Sequence, residues 1–161
     1  RKLNPSNGSV LWTSDSFGSK ARGLATDISG YVYVGAYDGK VRKLNPSNGS
    51  VLWTSDSFGQ QAEGLATDIS GYVYVGAYDG YVRKLDPSDG SVLWTSADFG
   101  DFAYLATDPD GYVYVGVVDD EDDYGYAKKL DPSDGSTIWT SISLGYENPS
   151  IATNYYAGWG E

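Results

Sequence analysis

The stretch GLATDISGYVYVGAYDGYVRKLDPSDGSVLWTS, residues 64–96, contains four short segments that favour β-strands. These segments are GLATD, YVYVGA, YVRKL and SVLWTS, which are rich in β-branched and aromatic residues and lack the apolar spacing of a helix. Between them, DISG, YDG and DPSDG supply Gly for a positive φ and Pro for a φ of about −65°. The stretch therefore predicts four antiparallel strands joined by tight turns.

The same pattern recurs along the whole chain. Residues 1–41 and 42–82 are identical at 37 of 41 positions, and more divergent copies occupy residues 83–127 and 128–161. A repeat of about 40 residues that contains four strands is typical of a β-propeller blade. We therefore predict an all-β fold, a single β-propeller domain over residues 1–161 with four blades of four strands each.

The repeat resembles the quinoprotein-type, or pyrroloquinoline-quinone-like, β-propeller repeat. The resemblance is carried by the spacing of YVYVG, LDPSDG and the following Trp, and it covers the chain four times over. In that family's strand order, from innermost a to outermost d, complete sets occupy residues 24–55, 65–96 and 105–141. The resemblance implies one composite blade, with strands c and d from residues 1–14 and strands a and b from residues 151–161. This blade would close the ring within one chain or with a neighbouring chain.

Composition excludes several classes of catalytic site. The 161 residues include no Cys, no His and no Met, so Ser-His-Asp and Cys-His arrangements and His-ligated metals are excluded. The resemblance implies a quinone cofactor for the family's dehydrogenases, which hold it with a disulfide, a Trp and calcium. Because this chain lacks Cys, we expect no quinone, no other cofactor and no enzyme activity.

Charge and hydropathy limit the partners and the location. The net charge of −11 repels phosphate backbones, so we expect no nucleic-acid partner. The sequence has no apolar run of the length that spans a membrane. The absence of Cys and Met beside 15 Tyr and 21 Gly is typical of a surface-exposed microbial protein. We predict an extracellular or cell-surface location. The alternative is that Cys and Met are absent only because the unit that was duplicated lacked them.

The repeated aromatic residues are predicted to pack between blades. Trp is a natural filler between two sheets, and its fixed place in strand d argues against a ligand platform. The same interpretation applies to the Tyr pairs of strand b. The residues are Trp12, Trp53, Trp94 and Trp139, with Tyr31, Tyr33, Tyr72, Tyr74, Tyr112 and Tyr114.

A run of adjacent carboxylates lies between strands b and c of the third blade. Two interpretations stay open: a solvated acidic loop, or a Ca²⁺ site, since hard cations prefer carboxylate oxygens. The spacing does not fit an EF-hand. The residues of this acidic run are Asp119, Asp120, Glu121, Asp122 and Asp123.

Differences between repeats are concentrated in two kinds of connection, d-to-a and b-to-c. These emerge on the same face of an antiparallel blade, so we predict a variable rim that binds a partner. Neutral drift in lightly constrained loops is the alternative. The predicted partner-binding residues are Arg22, Lys40, Glu63, Tyr81, Phe102, Tyr104, Tyr124, Tyr126 and Tyr146.

The sequence predicts a non-enzymatic scaffold for protein binding or self-assembly. Residues 1–41 carry a net charge of +2 and residues 83–127 one of −9, which favours head-to-tail contact between copies, as a homo-oligomer or a filament. One alternative is a lectin-like or quinone-binding domain, which requires an aromatic-lined central pocket. Another is an amplified or engineered repeat without a selected ligand.

Overall fold

The computed structural model describes residues 1–100, 104–118 and 124–145, which form 14 β-strands and no helix. The strands are β1 (Lys2–Leu3), β2 (Val10–Trp12), β3 (Ala21–Thr26), β4 (Val32–Ala36), β5 (Val41–Leu44), β6 (Val51–Thr54), β7 (Ala62–Thr67), β8 (Val73–Ala77), β9 (Val82–Leu85), β10 (Val92–Thr95), β11 (Tyr104–Thr107), β12 (Val113–Val118), β13 (Gly125–Leu130) and β14 (Thr137–Thr140). The all-β prediction is confirmed.

Each of the three predicted a–d sets folds into its own antiparallel sheet. Blade 1 comprises β3–β6, blade 2 comprises β7–β10 and blade 3 comprises β11–β14, each with its strands paired in sequence order. The two short strands β1 and β2 pair with each other and form an N-terminal hairpin. This confirms the three predicted a–d sets and the predicted c–d hairpin at residues 1–14, while the composite blade stays a prediction. The other half, residues 151–161, lies outside the described residues.

The first strand of each blade is innermost, as predicted. The Thr67 hydroxyl donates a hydrogen bond to the Thr26 carbonyl (2.8 Å), and the Thr107 hydroxyl donates one to the Thr67 carbonyl (2.6 Å). These bonds join β3, β7 and β11 across neighbouring blades. The blades are therefore arranged around an axis lined by their first strands.

The core lies between blades rather than within one sheet. Tyr33 and Val41 of blade 1 form one buried cluster with apolar side chains of blade 2. A second cluster joins Tyr74 and Val82 of blade 2 to blade 3. Since the sheet of blade 2 is covered on both faces, its second strand β8 contains β-branched and aromatic residues without polar alternation. Such a fold depends on repeat-to-repeat packing for most of its stability.

Trp53 of strand d joins blade 1 to the c–d turn of blade 2. The Trp53 indole donates to the Pro87 carbonyl (3.0 Å), and Lys43 Nζ donates to the same oxygen (2.8 Å). The Trp53 ring lies over Gly90, where an added Cβ would come within 2.6 Å of the ring. We call this arrangement the Trp–Pro joint. It also links Trp12 to Pro46 and Trp94 to Pro132, each at 3.0 Å.

The Tyr pairs pack as predicted and also anchor a turn. The Tyr33 ring lies 5.9 Å from the Trp53 ring, and its hydroxyl donates to Asp27 (2.9 Å). Burial, followed by the hydrogen bond to this carboxylate, raises the pKa of Tyr33, so the phenol stays protonated. Asp27 also accepts bonds from the amides of Ser29 and Tyr31. The carboxylate is therefore committed to closing the a–b turn.

Candidate functional site

Two sets of connections meet on one face of the described blades. In blade 1, the Phe58 amide donates to the Gly39 carbonyl (3.0 Å), so the d-to-a connection lies against the b–c turn. The same contact occurs in blade 2 between Phe99 and Gly80 (2.9 Å) and in blade 3 between Leu144 and Gly125 (2.8 Å). This confirms that the two kinds of variable connection share a face. We call this face the variable rim; its described segments are 15–20, 37–40, 55–61, 78–81, 96–100 and 141–145.

The a–b and c–d turns form the opposite rim. A Cβ built on Gly30 would lie 3.8 Å from Pro46, so the two turns of blade 1 are neighbours. The opposite rim comprises segments 4–9, 27–31, 45–50, 68–72, 86–91, 108–112 and 131–136.

An ion pair and an aromatic ring hold the variable rim in place. Arg42 donates to both oxygens of Asp38, at 3.2 and 2.6 Å, and its guanidinium lies 5.0 Å from the Phe17 ring centroid. Blade 2 repeats the arrangement with Arg83, Asp79 and a ring distance of 4.8 Å from Phe58. The Arg guanidinium, the Asp carboxylate and the Phe ring hold one another in position in both blades. The variable rim is therefore a rigid platform.

The ion pair predicts a dependence of stability on acid. The hydrogen bond from Arg42 is the main cause that lowers the pKa of the Asp38 carboxyl below its ordinary value of 3.8. A carboxyl with a lowered native pKa stabilises the fold fully above its unfolded pKa and loses that contribution as the pH falls through the native pKa. We expect the melting temperature of the wild type to approach that of Asp38→Asn as the pH is lowered below about 4. Thermal melts across the acid range measure this difference, and a constant difference would contradict the assignment.

Those predicted partner-binding residues that the structure describes lie on or beside the variable rim, in different environments. Arg22 is exposed and lies over the Tyr37 ring at 5.3 Å, whereas Lys40, Glu63 and Tyr81 are half-buried. Arg22 and Glu63 belong to strands β3 and β7 rather than to connections, since strand a begins earlier than the sequence predicted. The predicted binding surface therefore extends from the connections of the variable rim onto the first residues of the innermost strands.

In the described part of the third blade, the predicted partner-binding side chains differ in exposure. Tyr104 is exposed at the start of β11, and Tyr124 is half-buried. Tyr126 lies within β13 and packs against the core between blades 2 and 3, so it supports folding as well as the rim. Phe102, Tyr146 and the acidic run Asp119 to Asp123 lie outside the described residues. The Ca²⁺ site therefore stays a prediction.

Two rim residues were missed from sequence. Tyr37 and Tyr78 occupy the b–c turns of blades 1 and 2, and 53% and 44% of their surfaces are exposed. Comparison of the repeats could not find them, because AYDG is identical in both units. The available signal was a large aromatic residue inside a turn. Beside Tyr37, Arg22 and Lys20 line an open cleft of about 730 Å³.

A second, apolar cleft separates the N-terminal hairpin from blade 1. It measures about 460 Å³, and its lining includes Trp12, Leu24 and Val34. Leu24 is 68% exposed, whereas the equivalent Leu65 of blade 2 packs against Gly23 and Gly35 of the preceding blade. The apolar cleft beside blade 1 therefore corresponds to the space that, beside blade 2, is filled by the inner strands of blade 1.

A small cavity lies where the innermost strands meet their a–b turns. It measures about 200 Å³, and its described lining consists of Thr, Ile, Asp and Pro side chains without an aromatic ring. Within residues 1–100, 104–118 and 124–145, no three acidic side chains are grouped as metal ligands. No helix in that part of the chain is long and apolar enough to cross a membrane.

Comparison with known proteins relates the chain to propellers. A family model described as outer membrane protein assembly factor BamB matches residues 1–148. No curated protein matches in sequence. The computationally designed protein Ika4 is similar in structure, with a TM-score of 0.77 and 21% identity over 92% of this chain and 88% of Ika4.

Two larger proteins share the same architecture. The designed protein Ika8 matches with a TM-score of 0.72 and 21% identity over 86% of this chain. BamB from Moraxella catarrhalis matches with a TM-score of 0.67 and 23% identity over 83% of it. This chain spans 42% of the Ika8 chain and 40% of the BamB chain, about two fifths of each. At these identities the similarity establishes the fold.

Proposed function

Since the chain belongs to the quinoprotein-type β-propeller repeat family, whose matching model is that of the assembly factor BamB, we propose that it is a non-enzymatic scaffold that binds protein through its variable rim. The observation that carries this proposal is the exposed Arg22–Tyr37 pair and the exposed Tyr78 on a rim fixed by Asp–Arg ion pairs. Tyr and Arg are enriched at protein interfaces because they combine contact area with polar groups. Rigid support lowers the entropy cost of binding.

The turn carboxylates support the absence of catalysis. Asp27, Asp68 and Asp108 each accept a Tyr hydroxyl bond at 2.9 Å and an amide bond from the following turn. A carboxylate committed to these bonds is poorly placed to act as a general acid or base. The proposal includes an extracellular or cell-surface location, supported by the absence of Cys and Met.

Self-assembly is the second part of the proposal. The charge difference between residues 1–41 (+2) and residues 83–127 (−9) favours head-to-tail contact over face-to-face contact. A head-to-tail contact either closes a ring or extends into a filament. Added salt should weaken an assembly that depends on this attraction.

Rim substitutions test the binding face. We expect Tyr37→Ala, Tyr78→Ala and Tyr81→Ala each to weaken association with a rim partner by about 1–2 kcal/mol, while the melting temperature changes little. The partner is a protein retained from culture medium of the source organism by the immobilised wild type, then purified. Isothermal titration of each variant gives its binding constant.

Ser47→Ala, on the opposite rim, is the matched control and should bind as the wild type does. A binding defect in Ser47→Ala together with normal binding by the Tyr variants would place the interface on the opposite rim. Wild-type binding by all three Tyr variants would contradict the variable rim as the interface.

A further inference from the structure

The Trp–Pro joint has a donor half and an acceptor half. The donor half is the Trp indole with the Lys of the adjacent strand; Lys2, Lys43 and Lys84 donate to the same carbonyls as the Trp residues, at 3.0, 2.8 and 2.9 Å. The acceptor half is the Pro carbonyl and the Gly three residues further on. An added Cβ on Gly49, Gly90 or Gly135 would come within 2.4–2.6 Å of a Trp ring. The joint therefore has a direction, from each unit to the next.

One donor half remains without an acceptor among the described residues. Trp139 occupies the Trp position of blade 3, yet 42% of its surface is exposed. Its ring lies 6.1 Å from Tyr114, and Lys129 lies 3.7 Å from the Tyr112 ring. Lys43 and Lys84 hold the same position over Tyr31 and Tyr72, at 4.2 and 4.1 Å. Trp139 and Lys129 are thus arranged over the Tyr pair of blade 3 as in the formed joints, and Lys129 Nζ also lies 3.8 Å from an Asp108 carboxylate oxygen.

One acceptor half is also left over, at the other end. Residues 4–8 read NPSNG, identical to residues 45–49, which hold Trp12. Gly8 has a φ of 71°, close to the 75° of Gly49. No described atom lies within 4 Å of a Cβ built on Gly8. The turn has the sequence and conformation that accept a Trp ring, without a ring from the described part of its own chain.

We propose that a second copy of this chain completes the joint, with Trp139 and Lys129 of one copy docked on the Pro5–Gly8 turn of the other. This deepens, and rests on, the proposed function as an assembling scaffold. The occupant is inferred from continuity with the three joints inside the chain, which have the same chemistry and direction. Within residues 1–100, 104–118 and 124–145, each copy has one open donor half and one open acceptor half, so two copies form two identical joints. The expected product is a ring-shaped dimer with two-fold symmetry.

Three substitutions test the joint. Trp139→Ala removes the donor ring, and Gly8→Ala places a methyl group where the ring must lie. Each is expected to raise the dissociation constant of the dimer by roughly 30-fold or more, as for a central interface residue. Gly18→Ala is the matched control, since Gly18 has a φ of 69° and equally open surroundings but lies on the variable rim. It should change the constant by less than about twofold. Sedimentation velocity and native mass spectrometry supply the constants and the masses.

Mixing the two defective variants tests the direction of the joint. Gly8→Ala retains Trp139, and Trp139→Ala retains Gly8, so a mixed dimer contains one intact joint. Each variant alone has two defective joints. We therefore expect the equimolar mixture to form a heterodimer at concentrations where either variant alone is monomeric, seen by native mass spectrometry of mass-labelled chains.

A wild type that stays monomeric at high micromolar concentration overturns the inference. If Trp139→Ala and Gly8→Ala then lower its melting temperature, the joint closes within one chain. An assembly unaffected by both variants also overturns the inference but leaves the proposed function intact, because copies then meet elsewhere. Conversely, a dimer that dissociates in both variants while rim substitutions change no partner binding supports the joint and contradicts the rim as the binding face.

Discussion

Trp53→Ala is expected to lower the free energy of unfolding by about 3–5 kcal/mol, the range for removing a large aromatic side chain from packed surroundings. The substitution removes the ring that packs on Tyr33 and covers Gly90, together with the hydrogen bond to the Pro87 carbonyl. It leaves a cavity between blades 1 and 2, where one of the two core clusters lies. Urea unfolding at a single protein concentration measures the loss.

Trp53→Phe separates the ring from its hydrogen bond. Phe keeps an aromatic side chain over Gly90 and loses the indole N–H, so we expect a cost of about 1–2 kcal/mol. Lys43 still donates to the Pro87 carbonyl in both variants, so that oxygen keeps a partner. An alanine variant as stable as the phenylalanine variant would show that the ring does not hold the blades together.

Gly90→Ala should destabilise the protein by about 2–5 kcal/mol, because a conformational cost of about 1–2 kcal/mol adds to an overpacking cost of about 1–3 kcal/mol. Gly90 has a φ of 80°, a conformation that costs an L-residue about 1–2 kcal/mol. The new Cβ would lie 2.6 Å from Trp53 Cε3 and 2.8 Å from Cζ3, so the indole must leave its position. The substitution therefore acts against the same joint from the acceptor side.

Gly59→Ala is the control for the backbone contribution. Gly59 has a φ of 81°, and no described atom lies within 4 Å of its built Cβ, so only the conformational cost of about 1–2 kcal/mol is expected. The double variant Trp53→Ala/Gly90→Ala should be more stable than the sum of its single changes predicts, by about 1–3 kcal/mol, because the methyl group then meets no ring. Additive losses would contradict a clash at the joint.

Strand pairing could be predicted from sequence because it is local. YVYVGA and VRKL are separated by a turn of a few residues, and the Asp or Asn side chains of the turns bond to amides two residues on, as Asn45 does to Ser47 (2.8 Å). A hairpin contains both partners within one short stretch. The strands of each blade, their order and the shared face of the variable connections could therefore be predicted from the sequence.

The candidate site was only partly accessible in this way. Arg22 and Tyr81 were found because they differ between repeats, whereas Tyr37 was missed because it does not. Its exposure depends on how the b–c turn lies against the d-to-a connection, through the bond from the Tyr37 amide to the Lys20 carbonyl (2.9 Å). Sequence variation between repeats indicates positions where a substitution is tolerated. It does not indicate which side chains are exposed, because exposure depends on how the connections pack against each other.

The repeat, the strands and the turns could be predicted from the sequence alone, as could the burial of Tyr33 and Tyr74, whereas the predicted burial of Trp139 was not found. Which copy of a repeated Trp or Gly takes part in a Trp–Pro joint could be seen only in the tertiary structure. Trp53 and Trp139 stand in nearly the same local sequence, yet one lies over Gly90 and the other is exposed. Likewise, Gly8 and Gly49 share the turn NPSNG, and only Gly49 lies beneath a ring. This difference arises because a Trp–Pro joint forms between two successive units. Whether a given Trp or Gly takes part therefore depends on which unit packs beside it in space. Two copies of the same local sequence can have different neighbours, so the local sequence cannot predict this.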